Sequence, residues 1–308
     1  MKRTRFGRTG FDVSPLGFGA APIGYLQTDR DRVGAILNFL LDHGVNLIDT
    51  AASYPGSEEA IAETVGGRRD QFVLVSKCGT KLPDLDGEPF SAELVSKTVD
   101  RSLRRLRVEQ IDVMLLHSCD LKTLQQGDAL GALVKVREQG KIKFAGYSGD
   151  NEAAKYAAAL ADVAVIETSV SIADQRNIDV VLRVAREHDV GVLAKRPVAN
   201  AAWKDIDQQQ GLYKNYAKTY TDRLRHMRLD PAKLGFTGRS EDAWPELALR
   251  FTLSQPGVGC AIIGTTNPDN ARKNIAYAEK GPLPADMAAK IREMFETADL
   301  EGTWTGQT

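Results

Sequence analysis

Short apolar runs alternate with amphipathic stretches from residue 16 to residue 280, a pattern that predicts repeated strand-helix units rather than a sheet followed by a helical bundle. Eight runs rich in Val, Ile, Leu or Phe read as strands: 16–19, 46–49, 72–76, 111–116, 143–148, 163–167, 191–194 and 260–263. Between them apolar residues recur at helical spacing over 31–42, 92–106, 123–138, 178–187 and 245–253, several of these segments opening on Asp, Ser or Thr. Strand then helix, eight times over, predicts an α/β fold in which a parallel sheet closes into a (β/α)8 TIM barrel. Residues 4–13, with Gly7-Arg8-Thr9-Gly10 between two short runs, predict an N-terminal β-hairpin that plugs the lower end of the barrel. Residues 285–297 predict an extra C-terminal helix, and the lack of a low-complexity linker makes residues 1–308 a single barrel domain.

One segment breaks the rhythm. Residues 199–244, after the seventh strand, are far longer than the usual two to six residue connection and carry Trp203, Tyr213, Tyr216 and Tyr220 with Arg223, Arg225 and Arg228 on an internal helix. Long loops on that edge of a barrel cover sites, so the segment is expected to act as a lid.

Composition narrows the partners. With 40 Lys and Arg against 41 Asp and Glu, the net charge of −1 supplies no general field for nucleic acid. No uninterrupted apolar run approaches the ~18 residues of a membrane helix, and the basic start is followed by Arg8 and Asp12 rather than a signal-peptide core, so a cytoplasmic protein is expected. Three cysteines without CxxC spacing read as free thiols of a reducing compartment. His43, His117, His188 and His226 lack metal-ligand spacing, and no metal site is expected.

The candidate chemistry sits where strands end. Asp49 closes the second strand, with Tyr54 five residues on, and Lys77 and His117 close the next two. The edge of a parallel barrel gathers its strand ends into one site. A phenol beside an ammonium and a carboxylate predicts proton transfer: the ammonium lowers the phenol pKa from its usual value near ~10, and the carboxylate keeps the ammonium charged.

These residues carry a resemblance. From Phe6-Gly7-Arg8-Thr9-Gly10 and Leu16-Gly17-Phe18-Gly19 through the order Asp49, Tyr54, Lys77, His117 to Asn267-Pro268 and Asn274, the chain resembles the aldo-keto reductases over nearly its whole length. The resemblance implies an NAD(P)H-dependent oxidoreductase that interconverts a carbonyl and an alcohol, with Tyr54 as proton donor, Lys77 tuning it, Asp49 orienting Lys77 and His117 orienting the carbonyl. It implies cofactor contacts from Gly19, Ala20, Asp49, Ser148, Gly149, Glu167, Lys195, Arg196, Pro197, Val198, Ile263, Gly264, Thr265, Thr266, Asn270 and Asn274. Tyr25, Tyr54, His117 and Trp203 are the expected substrate contacts, for a small carbonyl compound, sugar-like or aryl. An alternative the resemblance allows is a nucleotide-binding regulatory subunit of the potassium-channel β type.

Several positions depart from the family pattern. Gly146-Tyr147-Ser148-Gly149 has glycine where G-x-S-N has asparagine, and Glu167 stands where glutamine is usual. Ala194-Lys195-Arg196-Pro197-Val198 replaces an aromatic-Ser-Pro-Leu pattern, and Gly264 and Asn270 stand where NADPH-using relatives place Lys and Arg. Arg272 and Lys273 are the nearest substitutes, which favours NADP(H) over NAD(H).

Overall fold

The structure is a computed structural model that describes residues 1–204 and 213–307, with the backbone alone over 213–216. Ten strands occur among these residues. β1 (Thr4–Arg5) and β2 (Asp12–Val13) form the antiparallel hairpin. β3 (Leu16–Gly19), β4 (Leu47–Asp49), β5 (Val73–Cys78), β6 (Ile111–His117), β7 (Ile142–Ser148), β8 (Val163–Ser169), β9 (Gly191–Lys195) and β10 (Cys260–Ile263) close into a barrel, each pairing in parallel with its neighbours and β10 returning to β3. The helices are α1 (Ala21–Tyr25), α2 (Arg30–Asp42), α3 (Ser57–Val65), α4 (Ala92–Leu106), α5 (Leu121–Gln126), α6 (Asp128–Glu138), α7 (Asn151–Ala158), α8 (Arg176–Val180), α9 (Leu182–Glu187), α10 (Tyr213–Met227), α11 (Ser240–Leu253), α12 (Pro268–Glu279) and α13 (Ala285–Ala298).

Local signals explain most boundaries. Asp29, Ser91 and Asp120 accept from the backbone amide three residues on and so cap α2, α4 and α5, each worth about 1 kcal/mol. Three expectations are corrected. The stretch 123–138 is two helices, because Gly127 takes the left-handed conformation at φ 84° that a glycine adopts without steric cost. The stretch 178–187 also divides, at Val181, between α8 and α9. Pro245 lies inside α11, which begins at Ser240, so it does not mark the start of that helix.

Apolar packing occurs at two radii. Val75, Val113, Leu115, Val165 and Leu193 fill the barrel interior, and the fully buried Phe6 of the hairpin joins them from below, against Gly191 and Gly259 at the starts of β9 and β10. The hairpin is thus the expected plug. Outside the sheet, residues such as Ile36, Val99, Leu133, Ala157 and Ile275 seat the helices on the strands.

Of the insertion expected to form a lid, residues 205–212 lie outside the described residues, and Asn200 lines the cavity described below. Tyr220, Leu224 and Met227 of α10 pack with Leu247 and Phe251 of α11, Ile291 and Phe295 of α13, and Ile172 and Ala199 from the loops that follow β8 and β9. The Tyr220 hydroxyl donates to Asp174 at 2.7 Å. The side chains of Tyr213 and Tyr216 lie outside the described residues.

Candidate active site

The barrel register sets the site. Gly19 aligns with Asp49, Lys77 with Leu115, His117 with Ser148 and Ser148 with Glu167, so these side chains reach the carboxyl edge at closely matched heights. Tyr54 follows on the loop between β4 and α3. Arg101 of α4 steadies this loop by donating to the Ala52 carbonyl at 3.0 Å, and the Ser57 hydroxyl lies 2.9 Å from that of Thr50.

Lys77 is buried and surrounded by oxygen. Its Nζ lies 2.6 Å from each Asp49 carboxylate oxygen, 3.0 Å from the Thr50 carbonyl and 3.1 Å from Glu167 Oε2. Burial pulls the ammonium's pKa down, but the charges of Asp49 and Glu167 outweigh this and raise it, so Lys77 stays protonated. Burial raises the Asp49 carboxyl, the Glu167 charge adds to the rise, and Lys77 opposes both.

Tyr54 and His117 stand above this cluster. The Lys77 ammonium is 5.4 Å from the centre of the Tyr54 ring, whose edge meets the His117 imidazole at a centroid distance of 6.0 Å. The phenol pKa, expected to be lowered, is instead raised by withdrawal from water, and Lys77 offsets only part of the rise. The phenol is therefore held protonated. Burial, reinforced by the charges of Lys77 and Lys195, pulls His117 down to about 3, so its ring is neutral near pH 7. Ser53, which sequence reasoning did not select, places its hydroxyl 3.5 Å from His117 Nδ1.

A cavity of about 470 Å³ opens here, within the size range of small-ligand sites. Asp49, Tyr54, His117, Ser148 and Glu167 line its floor, with Tyr25 at its mouth 5.5 Å from the Tyr54 ring centre. Lys195, Arg196, Pro197 and Val198 form one wall, and Gly19, Ile263, Gly264, Thr265 and Thr266 another. Ser118 and Asn200, both in left-handed conformations, also line it and were missed, since loop residues carry no periodic signal.

The remaining expected residues lie elsewhere. Ala20 is buried and joins its amide to the Asp49 carbonyl at 2.8 Å, which ties β3 to β4. Asn270 is exposed on α12, and Asn274 is buried one turn later. Trp203 stacks on Trp244 at 5.5 Å with the rings 6° from parallel, and does not line the cavity. Arg272 pairs with Asp269 and Lys273 with Asp242, each at 2.6 Å. The α12 amides are partly used as well, since the Asn267 side chain accepts from Asp269 N at 2.9 Å.

The departures from the family pattern have steric and electrostatic reasons. A Cβ at Gly149 would run into the Tyr147 ring and hydroxyl, which is anchored to the Cys119 carbonyl at 2.6 Å. A Cβ at Gly264 would meet the Gly19 carbonyl and the Pro22 ring. Lys195, at the place of an aromatic ring, pairs with the buried Asp150 at 3.0 Å. Arg196 takes a left-handed backbone and donates to Ser169 Oγ at 3.0 Å and to the Gln307 carbonyl.

Comparison with known proteins identifies the class. The model of the Aldo/keto reductase family matches residues 15–296. An uncharacterized oxidoreductase of Bacillus subtilis, YqkF, is 26% identical over 294 residues, which cover 90% of this chain and 91% of that one. The NADH-specific methylglyoxal reductase of Escherichia coli is 25% identical over 97% of this chain and 100% of its own. Among solved structures, the aldo-keto reductase AKR11C1 from Bacillus halodurans in its holo form superimposes with a TM-score of 0.79 and 25% identity, covering 96% of both chains. The chain belongs to the aldo/keto reductase family. It is an oxidoreductase acting on carbonyl groups, in a family that uses nicotinamide cofactors.

Proposed function

We propose that residues 1–308 act as one barrel that reduces a small aldehyde or ketone with NAD(P)H, or oxidises the corresponding alcohol, with Tyr54 handling the proton. The observation that carries this reading is the convergence of Tyr54 and neutral His117 on one cavity above the buried Asp49–Lys77 pair. The residues present fit a nicotinamide dinucleotide: the cavity runs from Tyr54 past Ser148 and Glu167 to the β10 loop, and Glu167 Oε2 is a buried acceptor without a donor in good alignment among the described residues. When bound, the nicotinamide supplies the hydride to the carbonyl carbon.

The side chains divide the remaining work. Tyr54 gives its proton to the carbonyl oxygen, and the nearby Lys77 ammonium stabilises the phenolate left behind. Asp49 fixes Lys77 by contact with both carboxylate oxygens. His117, neutral, orients the carbonyl oxygen, with Ser53 bearing on Nδ1. Tyr25, exposed at the mouth, offers a ring face to an aryl or sugar-like substrate, whereas Trp203 is held away by Trp244. Of the residues that line the cavity, Ser148 and Glu167 would hold the carboxamide and Arg196 a phosphate.

The cofactor choice rests on the far end of the cavity. The sequence favours NADP(H), but recognition of its extra phosphate by Arg272 or Lys273 would require breaking an ion pair with Asp269 or Asp242. NAD(H) gains from this. No helix among the described residues is long and apolar enough to cross a membrane, and the three buried free thiols fit the reducing cytoplasm we infer. Fluorescence titration with NADPH and NADH separately, then turnover on an aldehyde series, tests the proposal. Folded protein that oxidises neither cofactor across the series would sink it; tight retention with very slow turnover would turn the reading to a regulatory subunit.

A further inference from the structure

Glu167 adds a second carboxylate to a buried cluster that needs only one. Lys77 has three hydrogens, yet four oxygens crowd its Nζ: both of Asp49, the Thr50 carbonyl and Glu167 Oε2. Glu167 Oε2, at 3.1 Å, makes an ion pair without an aligned hydrogen bond. The glutamate is 4% exposed and lines the cavity on the side of Ser148 and Lys195.

Neither Lys195 nor His117 offsets it. Lys195 is committed to Asp150 at 3.0 Å, and His117 is uncharged. Arg196, on the cavity wall, donates to Ser169 Oγ and the Gln307 carbonyl, and Arg223, outside the cavity lining, lies 3.8 Å from Asp174. Asp49 and Glu167 against Lys77 leave the floor of the cavity one negative charge in excess when both acids are ionised. Burial is the main reason the proton affinity of Asp49 is raised, and the nearby Glu167 charge adds to it.

We propose that Glu167 makes this site discriminate the redox state of its nicotinamide cofactor, binding the oxidised ring in preference to the reduced one. The inference rests on the nicotinamide reading above. The oxidised ring carries one positive charge more than the reduced ring, and a ring that serves a carbonyl on Tyr54 shares the cavity with Glu167. Glutamine at this position keeps the hydrogen-bonding reach but not the charge. In a site screened as if by an effective dielectric constant of about 20, one charge at a separation of several ångströms changes the ratio of the two affinities by about ten-fold or more.

Calorimetric titration of the full chain with NADP⁺, NADPH, NAD⁺ and NADH, for wild type, Glu167→Gln and Glu167→Asp, tests this. The ratio of reduced to oxidised dissociation constants is expected to fall by about ten-fold in Glu167→Gln, mostly through weaker binding of the oxidised form. Glu167→Asp, which keeps the charge, should stay within about three-fold of wild type. Glu167→Ala removes the same charge if the glutamine variant does not fold. A ratio that is the same in the charge-deleted variant and the wild type overturns the inference while leaving the cofactor reading intact. Failure of wild type to bind any of the four nucleotides overturns both.

Discussion

The two halves of the cavity are built on different terms. On the β4–β6 side, Asp49, Lys77, Tyr54 and His117 match the family order and form a dense cluster in which Lys77 is fixed by contacts of 2.6 to 3.1 Å. On the β7–β10 side, Gly149, Glu167, Lys195 and Gly264 all depart from the commoner pattern, and each departure has a local partner: Tyr147, Lys77, Asp150, and the Gly19 carbonyl with Pro22. Change on the β4–β6 side is costly because Lys77 is buried between two carboxylates, and removing it leaves their charge without a cation. On the β7–β10 side, by contrast, a neighbour fills the space or supplies the opposite charge at each of these positions.

The largest effect should come from the proton side. Tyr54→Phe removes the donor and keeps the ring, so kcat for carbonyl reduction should drop by about 10²–10⁴-fold or more while the melting temperature hardly moves. Near-normal turnover would remove Tyr54 from the proton's path. Lys77→Met should cost both activity and fold, since it leaves Asp49 and Glu167 buried together without a cation; about 3–5 kcal/mol of stability is expected to go, measured by urea unfolding.

The cofactor wall should respond less, and in a coupled way. Gly149→Asn restores the family residue but collides with Tyr147, and should destabilise by about 1–3 kcal/mol. Combined with Tyr147→Ala, it should cost at least about 1 kcal/mol less than the sum of the two single changes. Additive losses would mean that Tyr147 is not what excludes a side chain at 149.

The smallest effect is a pH dependence. His117 is held neutral down to about 3 in the fold, against 6.5 for the free side chain, so the unfolded chain binds the proton more readily between these values. The contribution of His117 is complete above about pH 6.5 and is lost as pH falls toward about 3. Between about pH 7.5 and about pH 5.5 the loss attributable to this residue is on the order of 1 kcal/mol. Differential scanning calorimetry of wild type and His117→Asn at the two pH values should show the smaller shift in the variant; equal shifts would place the protonation elsewhere.

Much of this was legible along the chain. Each expected strand falls within two or three residues of an observed one, because a strand buried on both faces must be a continuous apolar run. The helix expected over 31–42 appears as Arg30–Asp42, and that over 92–106 without change, each under a capping side chain. Breaks inside helices were less legible: Gly127 and Val181 interrupt periodic sequences that read equally well as unbroken. Trp203 shows the other limit, since an aromatic in a long insertion carries no mark of which neighbour its ring will meet, and here that neighbour is Trp244.

The barrel, the order of its strand ends and the residue types gathered there follow from the chain alone, since period and spacing are properties of the sequence. The state of those residues is set by the fold. Whether Tyr54 is raised or lowered, whether Lys195 faces an acid, and whether Glu167 reaches Lys77 depend on burial and on distances between strands far apart in sequence. Electrostatic energy falls with separation and rises as water is excluded, and both quantities are set when the barrel closes.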